Sequence, residues 1–161
     1  MSMEPTTEDR LSPASLRPLL EFASKLDLRD PKAAREELER HFPVRGEYVA
    51  ELGDAMREGV AQGRLCHLGQ PPVQYSRLFK ATSESQNLSA DAVLMSAPGP
   101  RHTHPNGEID LCFAESGEPR FDGHPQGWVV YGPGSTHVPT VKGGTMLILY
   151  LLPGGAIEFQ K

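Results

Sequence analysis

Arg101-His102-Thr103-His104-Pro105-Asn106-Gly107-Glu108 is the stretch that decides how this chain is read. His102 and His104 are two apart, so on a β-strand both imidazoles leave the same face. Pro105 to Gly107 form a bend, after which the chain can re-enter a sheet with Glu108 on that face. Further on, Gly132-Pro133-Gly134-Ser135-Thr136-His137 brings a third imidazole to a Pro-Gly turn at a strand end. Three neutral nitrogens and one carboxylate suit a divalent transition metal. The expected site is a metal centre inside a β-structure, held by His102, His104, Glu108 and His137. His41, His67 and His124 lack such company and read as ordinary solvent-facing or loop histidines.

Working outward, the grammar of the chain changes near residue 70. Before it, Leu16, Leu19, Leu20 and Ala23 keep helical spacing behind a Ser12-Pro13 start. Asp30-Pro31 opens a second helix that Pro43 stops, and a third is expected from about Gly46 to Gln62 with Tyr48, Val49, Leu52, Met56 and Val60 as its apolar stripe. From Pro71 onward, short apolar runs alternate with Gly, Pro and Asn clusters. The expected strands are Val73–Ala81, Leu88–Ala97, Glu108–Ala114, Gly127–Tyr131, His137–Val141, Thr145–Leu152 and Ala156–Phe159. Gly143-Gly144 and Gly154-Gly155 read as hairpin turns. The fold class is therefore mainly β, a sandwich or barrel over 71–161 with a helical segment, 1–70, packed on it as one domain.

The bulk composition excludes several roles. The net charge is −5 over 161 residues, with no basic stripe or recognition helix to track a phosphate backbone, so no nucleic-acid partner is expected. The longest apolar run, Met146 to Leu152, is too short for a bilayer, so no membrane partner is expected either. Met1 to Arg10 is polar and acidic without a signal-peptide core, which makes the cytoplasm the default location. Cys66 and Cys112 do not form a disulfide framework. Alternation places Cys112 on the face of Glu108 and Asp110, lining a pocket or filling space as a small apolar residue.

The two quoted segments closely resemble the paired motifs of the cupin superfamily. The first appears as Gly99, His102, His104, Glu108 and Gly117; the second as Pro133-Gly134-Ser135-Thr136-His137. Two departures are visible: Thr140 and Val141 stand where an Asn usually follows the second motif, and the spacer from Glu108 to Gly117 is slightly long. The resemblance implies a double-stranded β-helix (jelly-roll) barrel with His102, His104, Glu108 and His137 as metal ligands. Beyond the superfamily, three segments are similar to the small cupins known as 4-hydroxylaminobenzoate lyases. They are His102-Thr103-His104-Pro105-Asn106-Gly107-Glu108-Ile109-Asp110, the run Gly127 to Ser135, and the run Gly143 to Phe159.

That resemblance implies conversion of 4-hydroxylaminobenzoate and water to 3,4-dihydroxybenzoate (protocatechuate) and ammonia, in the catabolism of nitroaromatic compounds. The reaction is redox-neutral, because the N–O bond supplies the oxidising equivalent, so neither nicotinamide nor flavin is expected. The implied cofactor is one divalent ion, Fe, Mn, Ni or expanded-coordination Zn, acting as a Lewis acid. Asp110, on the strand face of Glu108, is the companion carboxylate for acid–base work, with a merely orienting role as its alternative. Arg101 and Arg77 are candidates to fork the substrate carboxylate, and Tyr75, Trp128 and Tyr131, together with Phe79 and Tyr150, are candidate aromatic walls. The rival expectations are a dioxygenase or isomerase on the same ligand set, or a small-ligand-binding cupin without catalysis. The apolar helix faces can cover the barrel or a second copy, so a homo-oligomer, at simplest a dimer, is among the expected partners.

Overall fold

The structure, a computed structural model, describes residues 10–160. Met1 to Asp9, which include most of the polar N-terminal stretch, and Lys161 lie outside the described residues. Among the described residues, three helices precede the strands: α1 (Arg17–Ser24), α2 (Pro31–His41) and α3 (Glu47–Ala61). The Asp30 carboxylate accepts from the Ala33 backbone N–H at 3.2 Å and Pro31 occupies the first turn, so α2 starts where the Asp-Pro pair indicates. Among the described residues, no helix is long and apolar enough to cross a membrane.

Nine strands follow: β1 (Leu68–Gln70), β2 (Val73–Phe79), β3 (Leu88–Met95), β4 (His102–His104), β5 (Glu108–Phe121), β6 (Gly127–Tyr131), β7 (Ser135–His137), β8 (Val141–Pro153) and β9 (Glu158–Phe159). They form a six-stranded sheet in the order β1-β2-β3-β8-β5-β6 and a three-stranded sheet β7-β4-β9, with antiparallel pairing throughout. The expected mainly β architecture is present. β1 falls just before the change of grammar near residue 70, and its three residues are all exposed.

Two strand expectations need correction. The run His137–Val141 is not one strand: β7 ends at His137 and β8 begins at Val141, with Pro139, which has no N–H to donate, between them. Gly143-Gly144 is not a hairpin turn but lies inside β8, where Gly117 and Gly144 pair across an irregularity in the β5–β8 ladder. A Cβ on Gly144 would sit 1.9 Å from the Ser116 carbonyl oxygen, so glycine here permits the close passage of two backbones. Both long strands extend beyond the apolar runs that announced them.

The large sheet is buried on both faces along the apolar runs of its inner strands β3, β8 and β5, and strand parity sorts their side chains. Ile109, Leu111 and Phe113 of β5, Leu147, Leu149 and Leu151 of β8, and Ala90 and Ala92 of β3 pack with Leu19, Leu20, Leu38, Val49, Leu52 and Met56 of the helices. The alternate residues Val93, Met95, Cys112, Val129, Met146, Ile148 and Tyr150 form a second core with Phe121 and Val141. Cys66 and Cys112 are buried free thiols, and burial pushes Cys66 up to about 12.

Trp128 belongs to the helix-facing core, not to a substrate wall. It pairs with Leu111 across β5–β6, and its indole N–H donates to the Phe42 carbonyl just after α2 at 2.8 Å. Replacing Trp128 with Phe removes that buried hydrogen bond and part of the packing. The expected loss is on the order of 1–3 kcal/mol in denaturant titrations, with metal affinity unchanged; a changed affinity with unchanged stability would contradict this placement.

Candidate metal centre

β4 is only three residues long, and alternation turns His102 and His104 inward while Thr103 points out to the Thr136 hydroxyl at 2.7 Å. In the β4–β7 ladder His102 stands opposite His137. The bend after Pro105 closes through Gly107, whose φ of +89° and close approach to the Tyr131 carbonyl and Leu28 leave no room for a side chain. Glu108 then opens β5 facing the imidazoles. One donor atom from each of His102, His104, Glu108 and His137 lies within 4.8 Å of the others. The Glu108 carboxylate is 3.1 Å from His104 Nε2, 3.5 Å from His102 Nε2 and 3.8 Å from His137 Nε2.

Hydrogen bonds at the far side of each ring fix which nitrogen faces inward. His102 Nδ1 faces the Pro100 carbonyl at 3.2 Å, and His137 Nδ1 faces an Asp122 carboxylate oxygen at 2.6 Å. His104 Nδ1 is 2.9 Å from the Ser135 hydroxyl, whose own proton goes to the Gly132 carbonyl at 2.6 Å. Each Nδ1 therefore carries the proton and donates, which leaves three Nε2 lone pairs converging on Glu108. His102 Nε2 and His137 Nε2 approach to 3.1 Å, a contact in which two neutral acceptors repel. His104 Nε2 and both Glu108 oxygens have no hydrogen-bond partner, although the site is buried. Converging acceptors without donors fit a cation.

The carboxylates share this environment. Burial, and then the negative charge of Glu108 beside it, push Asp110 well above its ordinary value. Neither Asp110 oxygen has a hydrogen-bond partner, and a proton on Asp110 relieves the repulsion between the two buried carboxylates. The same burial and the same carboxylates raise the Cys112 thiol behind them, which keeps it protonated.

The remaining predicted residues separate into three groups. Tyr75 and Arg77 line a cavity of about 440 Å3 that reaches His102 and is walled by Val93, Met95, Tyr150 and Phe159. Arg77 forks Asp91 there, with Nε at 2.8 Å and Nη2 at 3.3 Å. Tyr131 is not in that wall: its ring stacks on His104 at 5.3 Å and leans on His137 at 4.3 Å, and its hydroxyl donates to Asp122. Arg101 is exposed and outside the cavity, Trp128 lies on the opposite face of β6, and Phe79 packs toward the helices. Sequence reasoning missed Asp122, Ser135 and Phe159. Asp122-Gly123 is a visible turn signal, but nothing in it points to His137.

The raised Asp110 gives a pH-dependent expectation for metal-free protein. Its folded pKa lies above the unfolded value of about 3.9, so the protonated form favours folding and that advantage is lost as pH rises. Asp110→Asn imitates the protonated state at every pH. The variant should match the wild type below about pH 4 and gain on it above, by up to about 1.4 kcal/mol per pH unit until the folded pKa is reached. Urea midpoints in chelator-treated protein would show this, and a gap independent of pH would refute it.

Comparison with known proteins places these features in a family. The family described as PnbB, 4-hydroxylaminobenzoate lyase, matches residues 19–159. A 4-hydroxylaminobenzoate lyase of Nocardioides sp. (strain LMS-CY) is 28% identical over 144 residues, 80% of this chain and 85% of that protein. A second, from Pseudomonas putida, is 26% identical over 162 residues, 88% of this chain and 91% of that one. Similar solved structures include the DMSP lyase DddQ from Ruegeria pomeroyi DSS-3, with TM-score 0.47 and 24% identity, covering 67% of this chain and 66% of its own. Another is an RmlC-like cupin protein from Ralstonia eutropha JMP134, with TM-score 0.44 and 17% identity, covering 57% and 62%. With the match running from α1 to β9, this chain belongs to the 4-hydroxylaminobenzoate lyase family.

Proposed function

We propose that this protein is a metal-dependent lyase converting 4-hydroxylaminobenzoate and water to 3,4-dihydroxybenzoate and ammonia. The observation that carries the reading is the convergence of three imidazole Nε2 atoms and a buried carboxylate beside a cavity that contains an arginine. The family membership is what points to 4-hydroxylaminobenzoate as the substrate. His102, His104, Glu108 and His137 would hold the ion. When bound, a divalent ion there supplies Lewis-acid chemistry for the N–O oxygen and for water.

The chain's own groups supply the rest. The cavity is within the size range of about 300–1,000 Å3 usual for small-molecule sites, and its apolar wall suits an aromatic ring. Arg77 is the carboxylate anchor in this reading, because it lines the cavity and its contacts to Asp91 use Nε and Nη2, which leaves the Nη1 edge. Arg101 has no such position. Glu108 and Asp110 form a buried pair holding one proton between them; Asp110 gives or takes that proton through Glu108 as hydroxide leaves nitrogen and oxygen adds to the ring. Tyr150, Met95 and Val93 give the cavity a buried apolar floor for the ring to pack against.

Incubated anaerobically with 4-hydroxylaminobenzoate, metal-replete protein should release protocatechuate and ammonia in equal amounts. His104→Ala should abolish both, and Asp110→Asn should lower kcat more than tenfold while metal content stays stoichiometric. Products that appear only with dioxygen would replace the lyase by an oxygenase. Separately, Arg77→Met should raise KM about 10- to 100-fold with little change in kcat, the effect of one lost charge-assisted pair. An unchanged KM would remove Arg77 from the substrate site.

A further inference from the structure

We infer that Asp122 is a positioning residue that fixes the tautomer of His137, and through it the ability of that imidazole to bind a metal. The inference rests on the metal reading of the His102, His104, Glu108 and His137 cluster. Asp122 lies fifteen residues before His137 in sequence, at the turn that ends β5. Its backbone is in the left-handed region at φ +48°, followed by Gly123 at +87°, and its N–H donates to the Thr140 carbonyl at 2.8 Å. That locks the turn to the segment just beyond His137.

The carboxylate receives three donors. One oxygen accepts from His137 Nδ1 at 2.6 Å and from the Tyr131 hydroxyl; the other accepts from the Thr140 backbone N–H at 2.9 Å. A group that accepts at both oxygens is required, and a carboxylate is the side chain that offers this. Burial pushes Asp122 up, but the His137, Tyr131 and Thr140 donors hold it below its ordinary value.

His137 depends on this partner more than the other two imidazoles depend on theirs. It ends a three-residue strand paired with β4, and its side chain keeps 14% exposure where those of His102 and His104 keep 2% and 0%. Tyr131 completes the arrangement: its hydroxyl is tied to Asp122 while its ring rests on His104 and His137. One carboxylate thus orients one ligand directly and the flank of a second through the tyrosine ring.

Asp122→Asn separates this role from simple packing, because the two side chains have the same shape. The amide has one acceptor, so its NH2 must face either the Thr140 N–H or the His137 and Tyr131 side. In the second arrangement His137 must present a bare Nδ1, and its proton moves to Nε2, the atom aimed at the metal.

The test uses full-length protein with zinc as the probe, measured by competition with a chromogenic chelator. Nitrogen-15 NMR of the metal-free histidines at about pH 8, above the ordinary imidazole range, is the second readout. Wild type should show His137 protonated at Nδ1. Asp122→Asn should show it protonated at Nε2 and bind zinc about 10- to 100-fold more weakly, the usual effect of removing a partner behind a metal-bound imidazole. Tyr131→Phe should keep the Nδ1–H form. Wild-type His137 protonated at Nε2 overturns the inference without any variant having to fold. Zinc affinity within threefold, with the Nδ1–H form retained in Asp122→Asn, overturns it as well. Failure of the wild type to bind zinc, manganese or iron(II) would instead sink the metal reading, and the NMR result would still decide the tautomer.

Discussion

The parity of β5 is the constraint on which the rest of the molecule depends. Ile109, Leu111 and Phe113 face the helices, while Glu108, Asp110 and Cys112 face the interior of the fold. A slip of one residue would exchange these sets, putting two carboxylates under the helices and three large apolar groups among the imidazoles. Each apolar side chain buried against the helices contributes about 1.5–3 kcal/mol. A buried, incompletely satisfied carboxylate costs several kcal/mol on the same scale. The hydrophobic face therefore sets the register, and the register delivers the carboxylates to the site. The helices act on the chemistry without touching it.

A second layer of polar contacts then turns a cluster of acidic and basic groups into a directed set of donor atoms. Pro100, Ser135 and Asp122 come from three different segments, yet each takes the Nδ1 proton of one imidazole. A histidine whose outer nitrogen faced water would exchange between tautomers and spend part of its time with a proton on the inner atom. Here that freedom is removed at all three positions. The cost is concentrated inside, where acceptors face one another, and it is relieved by a cation or by shared protons.

How much of this was legible in the sequence follows from distance along the chain. His102, His104 and Glu108 lie in one seven-residue run, so strand alternation and one bend sufficed to group them, and the Pro-Gly turn marked His137. Trp128 was misassigned because its face is set by pairing with Leu111, and pairing register is not written locally. Tyr131, expected as a substrate wall, packs its ring on His104 and His137 and lies outside the cavity wall. Asp122 was missed because its partner returns to it only fifteen residues later, after β6 and at the end of β7. The Gly143-Gly144 pair failed as a turn signal for a related reason: glycine also serves where two backbones approach closely.

The arginine in the cavity raises a question of electrostatics that the Asp91 pairing answers. A long guanidinium side chain loses rotamer entropy when it binds a ligand, about 2 kcal/mol in the full case. Asp91, opposite Arg77 in the β2–β3 ladder, holds it by two hydrogen bonds, so much of that entropy is already spent before substrate arrives. The same pairing neutralises the arginine, which weakens long-range attraction for an anion. In the proposed reaction a carboxylate at Nη1 adds a second negative charge to one guanidinium, and the gain from preorganisation must exceed that repulsion. It does so where the pair is partly solvated, because repulsion between the carboxylates is screened while the hydrogen-bond geometry is not. The Arg77 and Asp91 side chains are 43% and 20% exposed, which is such a setting. In the proposed reading, an arginine so placed would select for a planar, bidentate anion more than for negative charge in general.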